Sequence, residues 1–346
     1  GSIQVDFTAL QNRVTRFTKG TSQTLAKSLA ALGIDLFEGR GVCTGQNEGQ
    51  TQVQVTTAQG PVSLAGTKII LACGTASASF PGLVPDHQNV LDSTDLLRIT
   101  AIPESLIVVG AGAIGLEMAD FFSAMGSTVT IVEAAAHIAP TEDADIAKEM
   151  LRALTKKGIT CHEGARAKSL LSVDDKARLE LEDGTVITAA KALVAVGRKP
   201  NSAGLGVESA GGSLTARGYV QVDARLQSGP DLYAIGDING LTLLAHAAEH
   251  QAAYVARHIL GETQGDYEPG PVPSCVYGGT EIMRVGQTAG ALLREGKTVE
   301  VSQAPLTANP IAQASGGTAG FVKVVWHEGR MAGIAAVGHG VSHLVT

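Results

Sequence analysis

Three glycines, Gly110, Gly112 and Gly115, stand at the spacing G-x-G-x-x-G in the stretch VVGAGAIGLE, and a carboxylate, Glu133, follows 23 positions after the first. That set has a definite use. The first glycine permits a tight exit from a strand, and the second lets backbone amides approach a pyrophosphate with no Cβ in the way. The third lets the helix lie close against its strand. The pyrophosphate then sits at the positive end of the helix dipole, over the amides of a first turn formed by Ala113 and Ile114. A glutamate at the tip of the following strand accepts hydrogen bonds from the adenine-ribose hydroxyls and repels a 2′-phosphate, which favours NAD over NADP. In a chain with 42 glycines the spacing alone is weak evidence. The competing reading is a glycine run that merely packs a helix, with a surface glutamate nearby.

The flanking elements decide between the two. Leu106 to Val109 is a continuous apolar run suited to a buried parallel strand. The helix after it carries Ile114, Met118, Phe121 and Met125 on one face and closes on Gly126, and TVTIVE supplies the next strand, ending in Glu133. The turn is therefore read as holding the pyrophosphate of NAD. Upstream, residues 8–32 place Leu10, Val14, Phe17, Leu25, Leu29 and Leu32 at helical spacing, with Gly33 as a left-handed cap. Residues 34–66 read as a small β-meander. TKIILACGTASASFPG reads as a buried strand running into a loop. A charged helix is expected from about Thr141 to Lys157, then a second meander with Asp183-Gly184 as its hairpin turn. DLYAIGDING is one more strand, followed by an alanine-rich helix from about Leu244 to Leu260. QGDYEPGPVPS is the best linker by Pro and Gly content, and alternating strands with one helix follow it.

Bulk composition narrows the function classes. At 346 residues the chain is long enough for two or three domains. A formal charge of −7 argues against nucleic acid or an anionic membrane surface as partner. No run approaches the roughly 20 apolar residues of a membrane span. The cysteines, Cys43, Cys73, Cys161 and Cys275, lie at least 30 positions apart. No zinc or CxxC spacing exists, no metal site is expected, and isolated thiols fit a reducing, cytoplasmic compartment. Gly1-Ser2 reads as a protease scar from an expression tag.

Several motifs in order along the chain resemble the pyridine-nucleotide disulfide oxidoreductase family of flavoproteins. They are IILACGTASASFPG, VVGAGAIGLE, PTEDADIAKEMLRALTKKGI, LVAVGRKPN, DLYAIGD with LLAHAAEHQA, VPSCVYGGTEIMRVGQT and GGTAGFVKVV. The run of Pro-Thr-x-Asp-x-Asp type favours the lipoamide branch over glutathione-type and mercuric reductases. The resemblance implies an α/β fold: a Rossmann-like NAD-binding domain (98–220) inserted in the remainder of an FAD-binding domain (3–97 and 221–268), followed by an incomplete α+β dimerisation domain (270–346). It implies NAD and FAD as cofactors, a homodimer, and a lipoyl-bearing component of a 2-oxoacid dehydrogenase complex as partner of the full-length protein.

By the same resemblance, Gly74 closes a flavin-domain strand, and Gly236 and Asp237 deliver a carboxylate to the FAD ribitol. Amides at Leu244, Ala245 and His246 face the flavin pyrimidine edge. Glu117 faces the nicotinamide, and Gly197 and Arg198 lie against nicotinamide and flavin. Plainer roles stay open: a loop cap for Gly236-Asp237, a hydrogen-bonded core or cap residue for His246, a solvated carboxylate for Glu117, a salt bridge for Arg198. Family members begin with an FAD-binding βαβ unit and a Cys-x-x-x-x-Cys pair, and end with a His-Pro motif whose histidine is the acid–base. None of these occurs in the sequence, so no catalytic residue is assigned. The chain is expected to be the middle of such an enzyme, binding NAD(H), holding no stable FAD and not turning over alone. Two rivals remain: another disulfide reductase or NADH oxidase of the family, and a non-enzymatic NAD-binding, dimerising module.

Overall fold

A computed structural model describes residues 5–345; Gly1-Ser2, read above as a scar, lies outside them. The chain divides into two compact units. One contains Ser77–Gly197 and the chain from Pro271 onward, and the other contains Ala9–Ala76 and Arg198–Gly270.

Helix α1 (Phe7–Ala31) ends at Gly33, φ +72°. Its expected apolar stripe is largely open: Val14, Phe17, Leu25 and Leu32 are exposed. The first meander is β1 (Gly39–Asn47), β2 (Gln50–Thr57) and β3 (Gly60–Gly66). Glu48 and Gly49, both at positive φ, make the tight turn between β1 and β2. Strands β4 (Ile69–Leu71) and β5 (Thr75–Ser77) follow.

The region from Ser77 to Gly197 contains β6 (Val90–Leu91), α2 (Ser93–Leu96), β7 (Ser105–Val109), α3 (Ala113–Ala124), β8 (Thr128–Val132), α4 (Ala144–Lys156) and β9 (Thr160–His162). The meander β10 (Ala167–Val173), β11 (Lys176–Leu181) and β12 (Val186–Ala189) follows, then β13 (Lys191–Val194). Its parallel sheet has the order β6-β13-β7-β8-β9. Leu106, Ile107 and Val108 are fully buried, as a strand covered on both faces demands. On β11, Ala177, Leu179 and Leu181 alternate inward at the two-residue period of a one-sided strand. Helix α4 buries Ile146, Met150 and Leu154 at four-residue spacing. In α3 the buried face is Gly115, Leu116, Ala119 and Phe122. The stripe expected there, Ile114, Met118, Phe121 and Met125, is only partly buried. The helix is apolar nearly all round, so periodicity alone could not fix its rotation.

The second unit resumes with β14 (Arg198–Pro200), β15 (Gln227–Gly229), β16 (Leu232–Ala234) and α5 (Ala245–Ile259); β16 pairs in parallel with β4. The C-terminal part has β17 (Ser274–Val276), β18 (Glu281–Gly286), α6 (Ala289–Arg294), β19 (Glu300–Pro305), α7 (Pro310–Ser315), β20 (Gly320–His327) and β21 (Arg330–Gly338). They build one antiparallel sheet, order β17-β18-β21-β20-β19.

The compact unit that holds the parallel sheet includes Ser77–Gly197, alongside the expectation of an NAD-binding domain over 98–220. Upstream, β6 pairs in parallel with β13 and so belongs to this sheet. Downstream, the backbone past Gly197 bonds within the other unit, as in Cys43 N–H to Leu205 O at 2.8 Å. The C-terminal sheet packs within the same unit. Ile282, Ala335 and Val337 join α3, α4 and the parallel sheet in one core.

The acidic run TEDAD fastens that junction. Glu142 accepts from Arg284 Nε at 3.0 Å. Asp143 takes Lys323 at 2.9 Å and the amides of Ala289 and Gly290 at 3.0 and 2.8 Å. Asp145 takes Lys323 at 2.8 Å and Gln303 Nε2 at 2.7 Å. The motif that pointed to the lipoamide branch thus bonds to residues of its own chain.

Candidate functional site: a dinucleotide cleft at the strand tips

The tips of β7, β8 and β13 open into a cavity of about 530 Å3. Its wall includes Gly110, Gly112, Glu133 and Gly197, so one cavity gathers four of the expected cofactor residues. The three motif glycines are required for different reasons. A Cβ on Gly110, φ +100°, would lie 2.4 Å from Ala195 O. One on Gly115 would lie 1.9 Å from Gly110 O, so the close helix–strand approach tolerates nothing larger. At Gly112 a Cβ would meet nothing within 4 Å, and its backbone is extended, which any residue adopts. Nothing within the protein demands glycine there, and the position faces open space beside the cavity. Gly112 is also the N-cap of α3 and makes no side-chain cap. The amides of the first turn, at Ala113 and Ile114, therefore lie at an open helix end that attracts anions.

Glu133 is buried, and both its oxygens are engaged: Oε2 accepts from Ala111 N–H and Oε1 from Ala135 N–H, each at 2.7 Å. A carboxylate has about four lone-pair positions, so acceptor capacity for ribose hydroxyls remains while its place is fixed in advance. Glu117 does not line this cavity. It accepts from the Tyr277 amide at 3.1 Å, and burial, only partly offset by that bond, pushes its carboxyl up. One turn on, Asp120 accepts from Gly279 N–H at 2.8 Å and pairs with Lys157.

The remaining expected residues gather in the second unit. Thr75, after Gly74 (φ +63°), donates its hydroxyl to Asp237 Oδ2 at 2.9 Å. Arg198 donates to Thr75 Oγ1 at 2.9 Å and to Thr75 O at 2.8 Å. Among the described residues Arg198 makes no salt bridge; it clamps a strand end. Gly236, φ +71°, donates its amide to Gln251 Oε1 at 2.7 Å, and Gln251 is almost fully buried. Leu244 is the N-cap of α5 without a side-chain cap, and Ala245 and His246 open its first turn. A carboxylate, a hydroxyl and an open helix N-terminus suit the polar ribitol and pyrimidine end of a flavin. Thr75, Gln251, Tyr277 and Arg166 escaped the sequence reading; only Thr75, a hydroxyl directly after the strand-end glycine, carried a local signal.

Burial raises all four cysteines, Cys161 to about 11. None is a ready thiolate at neutral pH. The described residues place one His/Asp cluster together, His87, Asp92 and Asp95, whose carboxylates already cap α2.

A glycine turn at an open helix end, a buried carboxylate fixed beside it and a polar cluster at a second helix N-terminus are compatible with a nucleotide-dependent oxidoreductase. The chain belongs to the pyridine nucleotide-disulphide oxidoreductase family, which it matches over residues 30–252, with the family's dimerisation domain over 272–346. Members of this family are NAD-dependent flavoproteins that use FAD and NAD(H). The likeness is to dihydrolipoyl dehydrogenases: that of Chlorobaculum tepidum is 34% identical over 100% of this chain and 74% of the relative. That of Bacillus subtilis is 32% identical over 93% and 70%. Among solved structures, LpdA from Mycobacterium tuberculosis superposes with a TM-score of 0.91 at 27% identity, covering 100% of this chain and 76% of that one. The flavoprotein disulfide reductase RclA from Escherichia coli gives 0.88 at 26%, covering 99% and 78%.

Proposed function

We propose that the chain provides the NAD-binding half of a dihydrolipoyl dehydrogenase, in which electrons from dihydrolipoamide pass through a cysteine pair and FAD to NAD+. The observation that carries the reading is Gly112, a glycine kept free of a side chain beside an open cavity and an uncapped helix. In this reading Gly110, Gly112, Ala113, Ile114 and Gly115 seat the pyrophosphate, Glu133 holds the adenine ribose, and Gly197 borders the nicotinamide. Asp237, Gly236, Gly74 and the amides at Leu244, Ala245 and His246 orient the flavin, with Arg198 positioning Thr75 and through it Asp237. Bound FAD supplies the two-electron relay between dithiol and nicotinamide. The protein's part is to align the two rings and exclude water. Glu117 is read as a positioning residue that ties α3 to the loop after β17. The four cysteines, all held as thiols, take no part in the redox step.

The dimerisation-domain match supports a homodimer. A lipoyl-bearing component of a 2-oxoacid dehydrogenase complex is the partner that dihydrolipoamide chemistry implies. Among the described residues no helix is long and apolar enough to cross a membrane, and four free thiols fit a cytoplasmic setting. A second reading, another flavoprotein disulfide reductase, draws on the likeness to RclA.

NADH titration followed by ligand fluorescence tests the binding reading. Saturable binding that Glu133→Ala weakens supports it, and no saturable change in the parent chain refutes it. Flavin absorbance of the purified chain and NAD+ reduction by dihydrolipoamide separate the enzyme readings from a bare binding module.

A further inference from the structure

We propose that Arg166 is a specificity-determining residue for the adenosine half of the dinucleotide, its guanidinium lying against the purine face. The inference deepens the function proposed above and rests on the dinucleotide occupying this cavity.

Sheet order places the residue. The pyrophosphate turn leaves β7, Glu133 stands at the tip of β8, and β9 is the next strand. Arg166 follows β9, two strands from the turn, or about 10 Å at the usual strand spacing. That distance suits a ribose plus a base, with the ribose at Glu133 between them. The backbone is held from both sides. Gly164 N–H donates to Ala135 O and Ala165 N–H to Glu133 O, each at 2.8 Å, while Arg166 O accepts from Glu182 N–H at 2.9 Å.

The guanidinium is uncommitted. Among the described residues Arg166 makes no ion pair, whereas the neighbouring cations Lys168 and Arg178 both pair with Glu180. Charge balance gives it work. Among the described residues the cavity wall holds two carboxylates, Glu133 and Glu182, and one cation, Arg166. A ligand with two phosphate charges enters an acidic pocket, and the compensation comes from the α3 N-terminus and this guanidinium.

The chemistry around Arg166 selects a base over a phosphate. Its immediate neighbours on the wall are Ala165 and Ala167, with Phe80 and Leu83 also lining the cavity, an apolar setting for a planar ring. The fixed charge of Glu133 beside it repels a 2′-phosphate. A planar guanidinium stacks on aromatic faces, as a lysine ammonium does not.

The test uses the full chain with Arg166→Met, which keeps the aliphatic stem, and Arg166→Lys, which keeps the charge. NADH, ADP-ribose and NADPH are titrated calorimetrically, and nicotinamide mononucleotide is used as a competitor of NADH. Arg166→Met is expected to weaken NADH and ADP-ribose equally, by roughly three- to twentyfold. Arg166→Lys restores only part of the loss, and the mononucleotide inhibition constant stays unchanged. Unchanged NADH affinity overturns the proposal, as does a loss confined to NADPH, which assigns Arg166 to a phosphate, or a loss shared by the mononucleotide. Failure of the parent chain to bind NADH instead removes the dinucleotide reading beneath it. Arg166 is exposed, so circular dichroism of both variants is expected to match the parent.

Discussion

Replacing Lys323 with methionine tests whether the acidic run after β8 is a structural clasp. The Lys323 side chain is only 5% exposed, and its Nζ lies 2.9 Å from Asp143 and 2.8 Å from Asp145. Methionine fills much of the volume but leaves two carboxylates facing an apolar group. Breaking a buried ion pair from one side costs about 3–5 kcal/mol. Two features lower that figure. Asp145 is 36% exposed and partly screened by water, and Asp143 keeps the amides of Ala289 and Gly290. The expected loss is about 2–4 kcal/mol, or roughly 4–16 °C in Tm at about 2–4 °C per kcal/mol for a domain of this size.

The assay is built into the chain. Its single tryptophan, Trp326, lies on the same strand three residues on, with Nε1 donating to Ser302 Oγ at 3.1 Å. Urea unfolding followed by tryptophan fluorescence therefore reports on the clasped sheet. Adding Asp143→Asn and Asp145→Asn is expected to recover part of the loss by removing the stranded charge. The pH dependence has a definite sign. Burial raises Asp143, but Lys323 and two amides outweigh it and hold its carboxyl below the ordinary value, 3.8. Its contribution is full above about pH 4 and fades as pH falls through the depressed folded value. Burial lowers Lys323, but Asp145 and Asp143 outweigh it and hold it above 10.5, so its contribution is full below that pH and fades only in stronger base. A destabilisation under about 0.5 kcal/mol at pH 7, or one independent of pH between 3 and 7, would refute the clasp.

Four further outcomes follow from the structure. Gly112→Ala should leave stability within about 1 kcal/mol yet weaken NADH roughly tenfold. Gly115→Ala, whose Cβ would meet Gly110 O at 1.9 Å, should cost about 2 kcal/mol or more of stability; paired thermal melts and titrations separate the two glycines. Glu117 is raised above its ordinary 4.5 by burial, so its protonated form favours folding below that pH and the advantage is lost as pH rises through the folded value. Glu117→Gln should then raise Tm at pH 8 and change little at pH 4, measured by melts at both. With all four thiols raised, maleimide labelling at pH 7 should modify exposed Cys73 first and buried Cys43 last, each more slowly than free cysteine, as read by mass spectrometry of digests.

Local sequence determined the elements and the turn. A fully apolar strand, three glycines at fixed spacing and a carboxylate at the next strand's tip require only nearest-neighbour geometry, so Gly110, Gly112 and Glu133 were legible before any fold was known. So were the helix end at Gly33 and the hairpin at Gly184, where positive φ demands glycine. Tertiary structure decided everything that depends on which distant backbone comes alongside. The outer strand Val90–Leu91 is too short to announce itself and exists because β13 pairs with it. The rotation of α3 was set by its packing. Arg198 and Thr75 are 123 positions apart and Lys323 and Asp145 178 apart. Such charge and hydrogen-bond partners carry no pattern in the sequence, because their meeting depends on how the sheets pack and not on any local preference of the chain.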